Sequence, residues 1–417
     1  MGFTQGLSGL NTSSRALDVI SNNIANSSTV GFKSSHAVFA DVYAGAMTGV
    51  SSSLQIGYGS KITAVYQSFL DGMPTTTGNP LDMAIIGNGF YVIERFDGSI
   101  AYTRNGQFDI NKDGYLITPT GEKVLGVRAD INGVIPPSGG IVQPLFVPQG
   151  DIDPRATEKV EIRSGNLNAD DAVPISAPFN PDVLDSYNFV HSIPVYDSLG
   201  GKHSLEVYFV KTSPGVWEVY ARVDGDSATL QGPLLDEFGV PQNLVYDQYG
   251  KLNPPIELFG YSTPLSGSAA ALDITLDLSR LNQFGSKFSI TDHWQDGYTV
   301  GQIAGIVVTQ DGIIQGRYTN GQTKNLGQVV LATFRSNQGL GRVGDNMWVE
   351  SAESGPPIVG RPRSGLNGLI SGGQVEESNV DLTQELVNMI IQQRNYQANA
   401  QTIRTQDQIM QTLVNLR

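Results

Sequence analysis

The C-terminal stretch Asn379–Arg417, NVDLTQELVNMIIQQRNYQANAQTIRTQDQIMQTLVNLR, contains no glycine and no proline, although the chain has 48 Gly and 21 Pro. Apolar or small residues recur in it at alternating steps of four and three, with Gln393 and Asp407 as polar breaks. The series consists of Leu382, Leu386, Met389, Tyr396, Ala400, Ile403, Met410 and Val414. This heptad spacing predicts one helix, roughly 50 Å long, that buries a stripe against another helix.

The start of this helix has two candidate caps, Asn379 and Asp381. Asp381 and Glu385 also suit the positive end of a helix dipole. An ordinary amphipathic core helix would show the same periodicity. The length of the series and its place at the end of this sequence favour an exposed coiled-coil role.

A second heptad series lies near the N-terminus, with the members Phe3, Leu7, Leu10, Ser14, Leu17, Ser21 and Ile24. It predicts a helix from about Thr4 to Ala25, despite Gly6 and Gly9. We expect the two helices to pair, so that the ends of the chain build one domain. The apolar members of both series form the predicted assembly seam, which is Phe3, Leu7, Leu10, Leu17, Ile24, Leu382, Leu386, Met389, Tyr396, Ala400, Ile403, Met410 and Val414.

The sequence between the helices changes to a period of two. Residues 37–59 predict a loop or a short extended stretch, and a strand is expected from Lys61. Residues 81–127 predict a β meander, because Asn-Gly and Asp-Gly pairs separate short alternating runs. These pairs are Asn88-Gly89, Asp97-Gly98, Asn105-Gly106 and Asp113-Gly114. Further strands and turns are expected to about Ile290, and a third β stretch from Thr299.

These elements together predict a multidomain α+β fold, since 417 residues are too many for one compact core. The N- and C-terminal helices pair as an α-helical coiled-coil domain, and two mostly antiparallel β domains are nested between them. The predicted helical assembly domain comprises residues 1–70 and 362–417. The predicted middle domain comprises residues 71–150 and 291–361, and the predicted outer domain residues 151–290.

The net charge of −14 argues against nucleic acid as a partner. Residues 1–60 and residues 380–417 each carry equal numbers of acidic and basic side chains, so the negative charge lies between the ends. Neutral polar ends suit packing against further copies of the chain, and an acidic middle suits an exposed face. The absence of cysteine excludes disulfides and thiolate metal sites. No apolar run reaches membrane-spanning length and no cleavable signal peptide is recognised, so we expect no membrane insertion.

Motifs that could carry chemistry are weak. Gly339–Gly344 fits G-x-G-x-x-G, but no helix start follows it, and a turn is predicted instead. Asp109–Gly114 matches only the first half of a calcium loop, which favours a β-turn. His203 and Glu206 lack a third metal ligand at a plausible spacing. We therefore predict no catalytic residue, no cofactor and no metal.

Several long motifs resemble one protein family. SNNIANSSTVGFKSS (Ser21–Ser35) after an amphipathic helix, together with VDLTQELVNMIIQQRNYQANAQTI (Val380–Ile403), resembles the bacterial flagellar axial proteins, which are rod, hook and hook-associated subunits. LDMAIIGNGFYVI (Leu81–Ile93) is similar to their first β domain, and Val195–Gly225 resembles the outer-domain segment of the hook members. The N-terminal motif residues are Ser21, Asn22, Asn23, Ile24, Ala25, Asn26, Gly31, Phe32 and Lys33.

The resemblance implies a self-assembling subunit of the flagellar hook, the flexible universal joint that passes motor torque from rod to filament. It implies that the terminal helices form an inner tube and that the location is extracellular, at the distal end of the basal body. The implied partners are further copies of the chain, the distal rod protein, the hook cap protein, the hook–filament junction proteins and the flagellar type III export apparatus.

Other interpretations stay open from the sequence. The chain could be a distal rod subunit or another axial subunit of the same family. A more remote alternative is a secreted β-rich adhesin with a coiled-coil stalk, for which no binding residues are identified. An enzyme is a third class, and no assembled catalytic site supports it.

Overall fold

The computed structural model describes residues 2–42, 57–136, 140–235, 241–253, 259–265 and 269–415. The chain divides into two compact units. Unit 1 comprises Met1–Gln149, Gly305–Arg317 and Thr323–Arg417, and unit 2 comprises Gly150–Ala304 and Tyr318–Gln322.

The two expected helices are present, α1 over Gly2–Ala25 and α2 over Leu382–Asn415. Asp381 caps α2, since its Oδ1 accepts a hydrogen bond from the backbone N of Gln384 at 3.1 Å. Asn379, the other predicted cap, binds backbone groups elsewhere in unit 1 and does not cap the helix.

The described strands of the first half of the chain are β1 Ser35–Val42, β2 Gly59–Gln67, β3 Pro74–Thr76, β4 Met83–Ile86, β5 Phe90–Glu94, β6 Ile100–Thr103, β7 Asp109–Ile110, β8 Leu116–Ile117, β9 Lys123–Arg128, β10 Gln143–Pro144, β11 Lys159–Asn168, β12 Phe189–Tyr196, β13 Lys202–Ser213 and β14 Val216–Val223. Those of the second half are β15 Leu244–Val245, β16 Phe259–Thr263, β17 Leu272–Asp277, β18 Leu281–Phe284, β19 Ser289–Gln295, β20 Ile303–Val308, β21 Ile313–Tyr318, β22 Thr323–Val329, β23 Leu331–Thr333, β24 Gly341–Gly344, β25 Met347–Val349, β26 Ile358–Gly360, β27 Leu369–Gly372 and β28 Gln374–Glu376.

Unit 1 contains both helices and a sheet in which β21, β22, β9, β5, β6, β25 and β24 are successive neighbours. Buried side chains such as Tyr91, Val124 and Leu331 form its core. β1 and β2 form a separate antiparallel hairpin that contacts α1. The segment that leads into α2 pairs with the segment that follows β2, because β27 pairs with β4 and β28 with β3. The start and the end of the chain are therefore held side by side.

Unit 2 contains a sheet of β16, β17, β11, β18 and β19 and a second sheet ordered β12, β13, β14, β15. One buried core contains side chains of both sheets, including Ile162, Phe209 and Trp217. The alternation predicted for β14 is present, since Trp217, Val219, Ala221 and Val223 are buried. Most pairings are antiparallel, but β11 pairs in parallel with β17 and β18.

Several details differ from expectation. Of the loop or short extended stretch predicted for residues 37–59, the extended alternative is present at residues 37–42, which belong to β1, while residues 43–56 lie outside the described residues. Gly341–Gly344 is strand β24 and not a turn, and no helix follows it. Asn105-Gly106 does not close a hairpin, because β7 pairs with β8 and not with β6. Strand β19 belongs to unit 2 and pairs with β11.

Candidate assembly domain and its buried junction

The two terminal helices lie against each other in antiparallel orientation. Gly6 lies beside Ile403 near one end of the contact. Near the other end, Asn23 Nδ2 donates to Glu385 Oε1 at 3.0 Å. The two glycines of α1 permit the close approach, since a Cβ at Gly6 would lie 3.0 Å from Ile403 Cγ1 and one at Gly9 2.8 Å from Asn399 Cγ. The sequence had suggested these glycines only as helix-weakening residues.

The residues of α1 that are buried each precede a residue of the predicted heptad series by one position in the sequence. These buried residues are Gly6, Ser13, Ala16, Ile20 and Asn23, and Gly9 is half-buried. Ala16 and Ile20 line a cleft together with Asn388 and Gln392 of α2. The half-buried residues of α2 are Glu385, Asn388, Met389, Gln392, Asn399, Ala400, Ile403 and Gln406. The contact within one chain is therefore made largely by small and polar side chains.

The residues of the predicted seam are only partly covered by this contact. Leu10, Leu17, Ile24, Met389, Ala400 and Ile403 are half-buried. Phe3, Leu7, Leu382, Leu386, Tyr396, Met410 and Val414 are exposed. Near the end of α2, Met410 is 60% exposed and Val414 71% exposed. Val387, Ile390, Ile391 and Ile409 are exposed as well, and the four-three series had not included them.

In the first part of the N-terminal motif Asn23 is buried, Ile24 and Asn26 are half-buried, and Ser21, Asn22 and Ala25 are exposed. Asn23 Nδ2 donates to Ser35 O at 2.7 Å, and its Oδ1 accepts from Ser35 N at 2.9 Å. This side chain therefore joins α1, β1 and α2. Because all its polar groups are paired, its burial is tolerated.

Gly31, Phe32 and Lys33 form a turn that fits against the strands of unit 1. Gly31 has a φ of +70°, and its N donates to Glu376 O at 2.8 Å. A Cβ at this position would lie 2.6 Å from Asn105 N, so only glycine meets both the conformation and the space. Phe32 is buried beside it.

The buried side chains of Lys33, Arg104 and Glu376, together with the exposed side chain of Asp71, form a group that we call the junction cluster. Lys33 Nζ lies 2.5 Å from Glu376 Oε1 and donates to Leu70 O at 2.7 Å. Arg104 Nη1 lies 3.3 Å from Glu376 Oε2 and 3.2 Å from Asp71 Oδ1. The side chains of Lys33, Arg104 and Glu376 are each at most 1% exposed, whereas that of Asp71 is 40% exposed. Two positive and two negative groups balance, as buried charges require.

The electrostatics of the cluster follow from its burial. Desolvation lowers the pKa of Lys33, and the carboxylate of Glu376 opposes that effect. Burial also raises the pKa of Tyr91 well above its usual value, with Glu376 adding to it. The cluster ties together four segments of unit 1, namely the motif turn, the residues after β2, the end of β6 and β28. It thereby fixes both helices to the β strands.

Further hydrogen bonds hold the residues on either side of the motif turn. Asn379 Oδ1 accepts from Ser34 N at 2.7 Å, and its Nδ2 donates to Ser68 O at 2.8 Å. Arg342 Nη2 donates to Ser35 Oγ at 3.0 Å, and Asn346 Nδ2 donates to Val30 O at 3.1 Å. From the sequence, Asn379 was expected only as a helix cap, and Val30, Ser34 and Ser35 only as parts of the Ser21–Ser35 motif stretch.

Replacement of Gly9 by leucine is expected to weaken the contact between α1 and α2. Overpacking of this kind costs about 1–3 kcal/mol. Leucine favours a helix over glycine by up to about 1 kcal/mol, so the loss would come from the contact and not from α1 itself. Hydrogen exchange of α1 amides in the full chain measures the effect. Asn11→Leu, at an exposed position of α1, is the control; equal protection of α1 in both variants would contradict the close contact.

Other site types receive no support from the described residues. Within them, no three His, Asp or Glu side chains converge on a point where a metal ion could bind. In the same part of the chain, neither helix combines the length and the apolar character that a membrane crossing requires.

Four family models match the chain. They are the flagella basal body rod protein at residues 5–33, the flagellar hook protein FlgE/F/G D1 domain at 84–169, the flagellar basal body protein FlaE D2 domain at 166–298, and the flagellar basal body rod FlgEFG protein C-terminal at 371–416. The two end models cover α1 with the motif turn and α2 with β28.

Curated relatives match over the full length. The flagellar hook protein FlgE of Salmonella typhimurium is 39% identical over 100% of both chains, and that of Escherichia coli 38% over 100% of both. The protein of the same name from Borreliella burgdorferi is 31% identical over 99% of this chain and 98% of the relative. The solved structure of Helicobacter pylori flagellar hook protein FlgE2 matches with a TM-score of 0.52 at 15% identity, covering 74% of this chain and 100% of that chain. That structural match supports the α+β fold.

Proposed function

The chain belongs to the flagellar hook protein family and is a structural subunit of the flagellar hook, and from that premise we propose that it polymerises through its terminal helices into a helical tube. In this proposal α1 and α2 pair as a coiled-coil domain that forms the inner wall, with the predicted seam between subunits. The tube acts as the universal joint that passes torque from rod to filament.

The exposed apolar side chains of α2 carry this proposal. Leu386 is 46% exposed, Ile390 51% and Met410 60%, although the helix already contacts α1 on another side. A helix with apolar side chains left in water on further sides gains stability when another surface covers them. If each copy covers a different surface of the next one, the contact does not close and a helical polymer results.

The proposed domain organisation has three parts nested within one another. Residues 1–70 and 362–417 form the inner assembly domain, residues 71–150 and 291–361 the middle domain, and residues 151–290 the outer domain. The pairing of β28 with β3 and of β27 with β4 supports the nesting, because it places the returning chain beside the outgoing one. The acidic charge between the neutral ends supports a solvated outer part that can slide past its neighbours as the hook bends.

Assembly at the hook also implies contacts with other flagellar proteins. We propose the distal rod protein below, the hook–filament junction proteins above, the hook cap protein during growth, and the flagellar type III apparatus for export to the extracellular location. The family is a structural one, and we propose that the chain works without catalysis, cofactor or metal.

Deletion of most of unit 2 tests the division between tube and outer part. The isolated bridges Ile152↔Gly301 and Arg155↔Tyr298 pair the segments by which the chain enters and leaves the unit. An Asn-Gly turn can therefore replace residues 156–297 and leave both bridges intact. We expect tubes to form, because the helices and the junction cluster are retained, but their curvature should change. Electron microscopy of isolated hooks measures both properties, and hooks of normal shape would contradict the proposed role of the outer part.

A further inference from the structure

One end of the sheet β12–β13–β14 in unit 2 holds a histidine between two carboxylates. His203, on β13, shares its face with Leu205 and Val207, which are fully buried. Its side chain is 21% exposed, so the imidazole lies at the edge of the core of unit 2, between the buried side chains and solvent. The proposed assembly function makes no use of this group.

Both ring nitrogens of His203 face carboxylate oxygens. Nδ1 lies 2.6 Å from Asp224 Oδ2, and Nε2 lies 3.3 Å from Asp197 Oδ2. The two carboxylates lie at opposite edges of the ring, so they share no point at which a metal ion could bind. Only a charged imidazolium has a proton on each nitrogen and can donate to both.

Each carboxylate also organises a turn through its other oxygen. Asp197 Oδ1 accepts from Leu199 N at 2.9 Å and from Gly201 N at 2.6 Å. Asp224 Oδ1 accepts from Ser204 N at 2.8 Å, and the backbone of Asp224 has a φ of +54°, which is uncommon for a residue other than glycine. The ring of His203 therefore connects the turn at residues 197–201 to the turn at Asp224. The backbone pairings of β12 with β13 and of β13 with β14 do not link these two turns directly.

The turn at residues 197–201 contacts the part of unit 2 where the chain enters and leaves it. Ser198 Oγ accepts from Ala270 N at 2.9 Å. A Cβ at Gly200 would lie 2.9 Å from Pro154 Cβ, close to Thr299. A change in the conformation of this turn would therefore alter its contacts with Pro154, Ala270 and Thr299.

We propose that His203 is a proton-dependent fastener, which ties the two turns together when the imidazole is charged and releases the 197–201 turn when it is neutral. On losing one proton the ring keeps a single N–H. The remaining proton stays on Nδ1, which makes the shorter contact, to Asp224. The lone pair of Nε2 then faces the carboxylate of Asp197. Two acceptors repel each other at that distance, so the contact opens.

The direction of the pH dependence follows from the surroundings of the ring. Burial alone would lower the pKa of His203, but the hydrogen bonds and charges of Asp224 and Asp197 outweigh burial and raise the pKa. These two carboxylates are the charged groups that act on it. Because the pKa is higher in the folded than in the unfolded chain, the stabilisation is complete below the unfolded value of about 6.5 and is lost as pH rises through the folded value.

A second histidine contact in unit 2 responds in the opposite direction. His191 on β12 and His293 on β19 lie with ring centroids 5.3 Å apart. Burial lowers the pKa of His191, and His293 adds to that effect. The free energy of unfolding that depends on neutral His191 therefore decreases as pH falls. Global unfolding measurements would mix the two responses, so the test must observe His203 itself.

Nuclear magnetic resonance of the full chain labelled with ¹⁵N-histidine can observe it, because the chain has four His. We expect a resonance that titrates above pH 6.5, that disappears in His203→Gln and persists in His36→Gln. Asp197→Asn should shift this pKa downward, since asparagine can still accept from Leu199 N and Gly201 N but carries no charge. A His203 pKa at or below the ordinary value, or one that Asp197→Asn and Asp224→Asn leave unchanged, would overturn the proposal.

The release of the turn has its own readout. Protection of the Gly201 amide from hydrogen exchange, corrected for the intrinsic rate, should fall when pH is taken from about 5.5 to about 8.5. The fall should be about tenfold for each unit by which Asp197→Asn lowers the His203 pKa. In His203→Gln it should be low and independent of pH. Protection that does not change with pH in the unmodified chain would refute the fastener. Both experiments use the isolated subunit, so their outcome is independent of the assembly proposal.

Discussion

Glu376→Ala is expected to destabilise unit 1 by roughly 3–5 kcal/mol, which is the usual cost of removing one partner from a buried ion pair. The substitution leaves Lys33 and Arg104, both at most 1% exposed, as two positive charges without their shared carboxylate. It also removes the acceptor of the Gly72 N hydrogen bond, which is 2.8 Å long. Since native domains are stable by only about 5–15 kcal/mol, unit 1 would lose a large part of its stability.

Asp71→Ala is the matched control for that variant. It removes the same charge from the same cluster, and Asp71 Oδ1 lies 3.2 Å from the same Arg104 Nη1. Its side chain is 40% exposed, however, so water can replace it and we expect a loss of about 1 kcal/mol or less.

Hydrogen exchange in increasing urea can separate the two variants on the full-length subunit. Buried amides of β5 and β9 report on unit 1, and those of β13 and β14 provide an internal reference in unit 2. The reference amides should keep their protection in both variants. Equal losses in Glu376→Ala and Asp71→Ala would show that burial of the cluster does not govern its contribution.

The sequence predicted those parts of the fold that depend on local spacing. Both helices were expected close to their observed bounds, because heptad periodicity and the cap at Asp381 are local signals. Turns such as Asp97-Gly98 were expected for the same reason, and Gly98 has a φ of +79°. Asn105-Gly106 has the same composition but joins strands that do not pair, which only long-range contacts decide.

The junction cluster could not be predicted from such local sequence patterns. Lys33 was noticed through its motif, but Arg104 and Glu376 lie far from it in the chain and resemble ordinary solvated charges. A charged side chain is normally exposed, so hydropathy places all three at the surface. Their burial follows from the pairing of β28 with β3, which brings Glu376 to the motif turn.

The side of α1 that faces α2 was missed for a different reason. Amphipathic analysis selects the most apolar stripe, whereas the contact uses the neighbouring stripe of Gly6, Gly9 and Asn23. Small residues let two backbones approach closely, and buried polar groups can pair across the gap. Neither small residues nor paired polar groups increase the hydrophobicity of a helix face, so amphipathic analysis does not detect them. The apolar stripe is consequently only partly covered within the subunit, and its exposed members Phe3 and Leu7 fit the role proposed for it in contacts with other subunits.

Leu386→Asp and Met410→Asp are expected to abolish polymerisation while both units stay folded. Leu386 is 46% exposed and Met410 60% exposed in the subunit, so a carboxylate at either position is solvated there. In the proposed tube the same side chain would be buried between helices, where an unpaired charge costs far more than a single apolar contact provides. The loss recurs at every subunit, so tubes should be absent rather than shortened. Leu386→Met, which keeps the apolar volume, is the control and should assemble normally.

Ile403→Asp separates contacts within a subunit from contacts between subunits. Ile403 Cγ1 lies against Gly6, so this substitution should also expose α1 amides to exchange in the monomer, unlike the other two variants. Sedimentation and electron microscopy measure assembly, and hydrogen exchange measures the helices and the strands. Normal tubes from Leu386→Asp would refute the seam. Loss of strand protection in that variant would mean that Leu386 supports the subunit itself, because a side chain needed only between copies has no effect on the isolated fold.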